Sequence, residues 1–296
     1  RPQRNAEQRP DSPLPPHYRM TEPDMTAPTL LLIDVGNSRI KYWFYHATRH
    51  PLAPDTVAAA IAHDGIQSLD ELRTQLHQQW LNEAQHYGEP LEIRISHVAS
   101  AALYEHISAL CAQLWPNAAI RRIRTRATHS LLQLGYDETQ MGSDRYAQIL
   151  GAQSIGATHP HLVISAGTAL TVDGILAGGQ HLGGTIGAGL KLTRTALHHY
   201  TAQLPLDGGE VTLHHAPQQT RDALASGAML AAVGAIAQFI QRYCLSRMSD
   251  ANDTPHLFFC GGDALALMAQ CQQAPDLAAI PMRHAPALCL LGLLAM

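Results

Sequence analysis

The chain has 296 residues and 32.1 kDa, with 46% hydrophobic and 15% charged side chains. That is enough apolar material for one large core or two medium ones, and far from a disordered composition. A formal charge of −4 gives no electrostatic case for a nucleic-acid partner. The five cysteines are odd in number and widely spaced, with no CxxC pair, so they suggest neither a zinc knuckle nor a disulfide framework and fit reduced thiols in a cytosol.

In chain order, residues 1–28 are polar and proline-rich with no signal-like hydrophobic region, and read as a flexible tail. Folding is expected to begin at about Thr29. TLLLIDV, residues 29–35, is a continuous apolar run ended by Gly36-Asn37, which predicts a buried strand and a tight turn. RIKYWFYH alternates and carries aromatics, as the second strand of a hairpin does. EIRISHVAS predicts another strand, AALYEHISALCAQLW a helix, and AAIRRIRT a further strand. Across AIRRIRTR, Arg121, Arg122, Arg124 and Arg126 interleave with Ile120 and Ile123, a pattern read as a solvated strand face rather than a nucleic-acid patch.

SDRYAQILGAQSIGA is expected to be a helix starting at Ser143 or Asp144. HLVISAGT and ALTVDGILAGGQHLGGTIG then repeat the opening theme of apolar strand, small-residue turn and second strand, adding a glycine-rich turn and a third strand. Helices are expected near 189–202 and 220–246, followed by strand HLFFCGG, helix DALALMAQ and the apolar helix PALCLLGLLA. No apolar run is read as reaching the roughly 18 residues of a membrane span. The histidines are scattered, and the doublets His198–His199 and His214–His215 lack the spacing of a zincin helix, so no metal site is expected from them. A strand meeting a glycine turn occurs at Asp34–Asn37 and again at Ser165–Thr168, which suggests two α/β units of similar plan with a cleft between them.

Neither of the two lysines, Lys41 and Lys191, sits in a GxxxxGK[ST] context, so a P-loop is excluded. The protein-kinase motifs and the GxSxG elbow are also absent. Four segments remain. In DVGNSRIK a carboxylate ends a strand, a glycine permits close backbone approach, and Asn37 and Ser38 offer donors, so the turn suits phosphate and Asp34 suits a hydrated Mg²⁺. Lys41 offers a point charge on the same strand pair. MGSDRYA places Asp144 and Arg145 at a helix start, where Asp144 also reads as a plain first-turn acid. SAGTALTVD gives a second phosphate-type turn at Gly167 and Thr168. FCGGDA sets Gly261–Gly262 where a flat base can approach the backbone.

Together with LGYDETQMGSDRYAQILGA, the GTALTVD turn, GGTIGAGLKLTRTAL before LP, and TRDALASGAML, these segments resemble the type III pantothenate kinases over about residues 29–295. The resemblance implies an α/β fold of two ribonuclease H-like (actin-like ATPase) domains with an interdomain cleft, an N-terminal unit at 29–140 and a C-terminal unit at 141–296. It implies ATP-dependent phosphorylation of pantothenate to 4′-phosphopantothenate, the first step of coenzyme A biosynthesis, with Mg²⁺, in a cytoplasmic homodimer with no membrane partner. It assigns Asp34, Val35, Gly36, Asn37, Ser38, Arg39, Ile40, Lys41 and Thr168 to ATP. Tyr136, Gly142, Ser143, Asp144, Arg145 and Thr220 are assigned to pantothenate, with Asp144 as the proton acceptor. A helix N-terminus is expected to lower the pKa of Asp144. Arg145 has two readings, a partner for the pantothenate carboxylate or an outward structural salt bridge.

Two departures stand out. The acid that usually precedes x-Gly-Thr and holds a monovalent cation (K⁺ or NH₄⁺) is Ser165 here, and a hydroxyl replaces a carboxylate poorly. The GGxIxPG pattern reads GGTIGAG, with Ala188 in the proline position. Two other functions compete: a different small-molecule kinase of the superfamily, although the Cys-rich zinc segment of open-reading-frame sugar kinases is lacking, and a regulatory factor of the Bvg accessory type.

Overall fold

The computed structural model describes residues 27–63, 68–156, 158–244 and 254–296, so all but the end of the tail assigned to 1–28 lies outside the described residues. The first sheet is built from β1 (Thr29–Val35), β2 (Arg39–Tyr45), β3 (Ala59–Ala62), β4 (Pro90–His97) and β5 (Ala119–Arg122), in the order β3-β2-β1-β4-β5. β1 is central and buried on both faces, which is why it reads as an unbroken apolar run. Its partner β2 is antiparallel and alternates between buried and partly exposed residues. β4 and β5 run parallel to β1.

Between β3 and β4 lies α1 (Leu69–Tyr87), which has no counterpart in the sequence reading. Its signals are nonetheless present. The Ser68 hydroxyl accepts from the Glu71 N–H and the Glu71 carboxylate accepts from the Ser68 N–H, both at 3.2 Å. Leu72, Leu76 and Trp80 then fall on one face and are buried. α2 (Ala101–Leu114) follows β4, capped by Ser100. The short hairpin β6 (Thr128–His129) and β7 (Leu132–Gln133) leads to α3 (Ser143–Gly156).

The second sheet repeats the plan. β8 (His161–Ala166), β9 (Ala169–Ile175), β10 (His181–Ala188), β11 (His256–Cys260) and β12 (Met282–His284) take the order β10-β9-β8-β11-β12. α4 (Leu190–Tyr200) and α5 (Thr220–Phe239) follow β10, and a π-helical turn (Ile240–Cys244) extends α5. α6 (Ala264–Cys271) and α7 (Leu288–Ala295) complete the unit. One expectation needs correcting: Thr220–Cys244 is long and apolar enough to cross a membrane by composition. Half of its apolar window is buried, with Met229, Val233 and Ile236 packed on the second sheet, as in a core helix.

The faces of the second sheet decide where the site lies. Leu162 and Ile164 of β8 pack with α5, whereas Val163 points the other way, into a cluster with Ile149, Leu150 and Ala152 of α3. α7 crosses α3 at very close range: a Cβ on Gly292 would stand 1.8 Å from the Ala147 carbonyl oxygen, and one on Gly151 2.0 Å from that of Leu288. α7 also reaches the first sheet, where Leu290 and Leu293 cluster with Leu32 of β1. The two helices are thus the layer between the sheets.

Candidate active site

Both glycine turns are tight. The Gly36 N–H donates to the Arg39 carbonyl at 3.0 Å, and the Gly167 N–H to the Ala169 carbonyl at 3.0 Å. They come from sheets far apart in sequence, yet the Ser38 and Thr168 hydroxyls meet at 3.3 Å. The DVGN and AGT turns therefore face each other directly. The second turn is shaped by its neighbours. A Cβ on Gly189 would fall 2.0 Å from the Gly167 carbonyl oxygen, and Gly261, at φ +101°, packs against Ala166. Gly262 has open space beside it, which keeps its backbone accessible. Ala188, in the position of the family's proline, is the last residue of β10 and lies in register with Ala169.

Asp34 faces Lys41 across the β1–β2 ladder, with Nζ to Oδ2 at 3.9 Å. Its Oδ1 is buried and has no hydrogen-bond partner. Burial pushes the Asp34 pKa up, Lys41 opposes the shift and Asp144 adds to it. Lys41 is held above its ordinary range; burial works against its charge, and Asp34, Cys260 and Cys289 together outweigh it. An orphaned buried carboxylate oxygen beside a glycine turn fits a hydrated divalent cation carried by the nucleotide.

Asp144 is placed by its neighbours on either side. The Ser143 hydroxyl accepts from the His97 N–H at 3.1 Å and lies 3.1 Å from the Ser96 hydroxyl, tying the start of α3 to the first sheet. Arg145 points the opposite way and donates Nε–H and Nη2–H to the two oxygens of Asp173 on β9, both at 2.7 Å. Asp144 is left between them, within electrostatic reach of Asp34 and Lys41. Gly142 makes room for it, since a Cβ there would lie 2.7 Å from Asp144 Oδ1.

The structure corrects the expected pKa of Asp144. Burial pushes it above the ordinary carboxylate value and outweighs the Arg145 and Asp144 backbone N–H groups and the charges of Arg145 and Lys41. Arg145 is corrected as well: its salt bridge is buried, not outward. Its side chain is 7% exposed, and the guanidinium lies 5.0 Å from the Tyr136 ring centre. Asp173 also accepts from, or pairs with, His181 Nε2 at 2.9 Å.

Among the remaining positions, Val35 and Ile40 are core residues that hold the turn, and Asn37 and Arg39 are exposed at its tip. Tyr136 covers Arg145. Thr220 stands apart, exposed at the first position of α5, the helix packed on the opposite face of the second sheet from α3. Among the described residues no hydrogen bond joins it to the Asp144 group. The sequence reading missed Cys260 and Cys289, which are buried beside Asp34, Lys41 and Asp144, with burial raising the Cys260 thiol to about 11. It also gave no role to Asp173 and His181. Asp173 lies inside the SAGTALTVD motif, but nothing in its local spacing marks Arg145 as its partner.

A family model described as type III pantothenate kinase matches residues 30–242. The chain belongs to the type III pantothenate kinase family. A type III pantothenate kinase of Azoarcus sp. (strain BH72) is 35% identical over 215 residues, 70% of this chain and 72% of that one. Another, from Cupriavidus taiwanensis, is 33% identical over 294 residues, 92% and 98% of the two chains. Among solved structures, a chain from Campylobacter jejuni described as a Baf family transcriptional activator has TM-score 0.52 at 21% identity, covering 88% of this chain and 94% of its own. A Sinorhizobium meliloti chain described as a 2-dehydro-3-deoxygalactonokinase has TM-score 0.50 at 16% identity, covering 90% and 97%. At such identities the structures speak to fold alone, and the fold is the two-unit ribonuclease H-like one of actin-like ATPases and sugar kinases.

Proposed function

We propose that this family member phosphorylates pantothenate with ATP through Asp144, and that the cleft between the two glycine turns holds the triphosphate. The contact between Ser38 and Thr168 across 130 residues of sequence carries the reading. A phosphoryl group between these hydroxyls would take over the hydrogen bond they now make to each other. Gly36, Asn37, Ser38 and Thr168 line that position, and Lys41 supplies positive charge behind it. Asp34 would hold the hydrated Mg²⁺, which neutralises charge on the transferring group.

Phosphoryl transfer of this kind gains chiefly from positioning and charge stabilisation. Asp144 accepts the proton of the pantothenate hydroxyl. Its raised pKa makes it a better base than an exposed aspartate, while Lys41, Arg145 and the backbone N–H groups favour its ionised form against burial. Arg145, engaged by Asp173, positions the start of α3; meeting a substrate carboxylate would require it to share or exchange that partner.

The division at 140/141 stays part of the proposal, supported by two sheets of identical strand order. So does the homodimer. Thr220 is remote from Asp144 within one chain, which favours its delivery to the pantothenate pocket of a partner subunit. Exposed Ile186 and Leu230 lie on the same unit as α5 and offer apolar contact surface. A cytoplasmic location follows from the metabolic role. The position of the family's cation-holding acid is Ser165 here, and without that carboxylate the enzyme is expected to respond weakly to K⁺.

The test is a coupled phosphorylation assay with ATP and pantothenate on wild type and Asp144→Asn. Turnover of the variant is expected to fall by about a hundredfold or more with folding intact. Near-normal turnover removes Asp144 from the mechanism.

A further inference from the structure

The arginine run read as a solvated strand face does not lie flat on the surface. β5 ends at Arg122, Ile123 adds one more hydrogen bond to Ile95, and the chain then bends away. Arg121, Arg122, Arg124 and Arg126, with Arg94 from β4, line a cavity of about 550 Å³. That volume lies within the range of small-molecule sites. None of its lining residues is among those assigned to ATP or pantothenate.

The charge in this cavity is only partly compensated. Arg94 and Arg121 share the Glu92 carboxylate, at 2.8 and 3.2 Å. Arg122 lies over the Tyr104 ring, 4.7 Å from its centre. Arg124 and Arg126 have no ion pair among the described residues. Glu138 is the other acidic side chain of the lining, so five guanidinium groups stand against two carboxylate side chains.

A second observation points to an occupant. Tyr146 lines the same cavity and is 1% exposed, yet its hydroxyl has no hydrogen-bond partner. Buried hydroxyls are nearly always satisfied. Tyr146 shares the cavity wall with Arg126 and Glu138, the two charged side chains that act on its hydroxyl.

We propose that this cavity binds a small phosphorylated anion, held by the Arg124 and Arg126 guanidinium groups and by a hydrogen bond from the Tyr146 hydroxyl. Guanidinium forks match phosphate oxygens in pairs, and a third oxygen accepts the tyrosine proton. The concave shape favours a compact molecule over a nucleic-acid strand. Glu92 and Glu138, with a net charge of −4 on the whole chain, disfavour a long polyanion. The occupant would touch the helix that carries Asp144, two residues away. Thr125 in the same wall donates its hydroxyl proton to the Met141 carbonyl at 2.9 Å, just before Gly142. A bound anion is therefore expected to alter turnover, a consequence that rests on the proposed role of Asp144.

The experiment is calorimetric titration of the full chain with pyrophosphate, with the cleft filled by excess non-hydrolysable ATP analogue. Wild type is expected to bind. Arg124→Gln/Arg126→Gln is expected to lose about tenfold or more in affinity, and Tyr146→Phe several-fold, with melting temperature and the KM for ATP of the double variant unchanged. Equal binding by wild type and double variant, loss of wild-type binding once the analogue is present, or no binding at millimolar pyrophosphate overturns the proposal. So does a DNA duplex that binds wild type in place of pyrophosphate and is released by the double substitution. Failure of the kinase reading would appear separately, as absent turnover in wild type with these binding results intact.

Discussion

Asp144 owes its position to the residues beside it. Ser143 is fastened to one sheet and Arg145 to the other, and the carboxylate between them has nowhere to turn but the cleft. Gly142→Ala would press a methyl group on that carboxylate while leaving the core untouched. Turnover is expected to drop by about tenfold or more with little change in melting temperature, which a side-by-side assay and thermal melt would check. The raised pKa of Asp144 sets the pH behaviour. The acceptor works only when ionised, so activity should climb with pH through a value above that of an ordinary carboxylate. Stability runs the other way. A folded-state pKa above the unfolded one stabilises fully below the unfolded value, and that contribution is lost as pH rises through the folded value. Asp144→Asn should therefore melt no lower than wild type at pH 7 while losing turnover. Removing the opposing charge with Lys41→Met should move the acid limb of the pH–rate profile upward, since Lys41 lowers the pKa of both Asp34 and Asp144. A profile identical to wild type would show that neither group controls the limb.

At the level of elements, the joint between α3 and α7 is made by glycines. Gly151 and Gly292 let two backbones approach where any Cβ would meet a carbonyl oxygen, so Gly292→Ala must spread the helices. A loss of about 1–3 kcal/mol, read by denaturant melts, is the expected cost. Gly189→Ala should instead disturb the Gly167 turn and raise the KM for ATP. The sequence showed the longer strands and both turns clearly, because apolar runs ended by small polar residues have few other readings, whereas the short strands β3, β6, β7 and β12 carry too few residues for a pattern. α1 was legible too, through Ser68–Glu71 and the Leu72, Leu76, Trp80 face, but its many polar residues masked the pattern. The Arg145–Asp173 pair could not be read, since it depends on two elements meeting in space. Nor could the upward pKa shift, because the helix-terminus effect is local whereas desolvation is set by β1, α7 and the second sheet together.

For the whole molecule, the repeated strand order places equivalent turns opposite each other, and this is what the motif order foreshadowed. Thr220 is the residue that a single copy does not bring to the site. If a partner subunit supplies it, mixing Asp144→Asn with Thr220→Val, each impaired alone, should restore about a quarter of wild-type turnover through hybrid dimers. No recovery after subunit exchange would place Thr220 outside the shared pocket. The packing of α7 on β1 has a further consequence during synthesis. Leu32 meets Leu290 and Leu293, more than 250 residues later in the chain. An emerging polypeptide therefore exposes one side of β1 until the residues of α7 have left the ribosome. Such distant pairing slows folding and leaves apolar surface open to chaperones in the meantime.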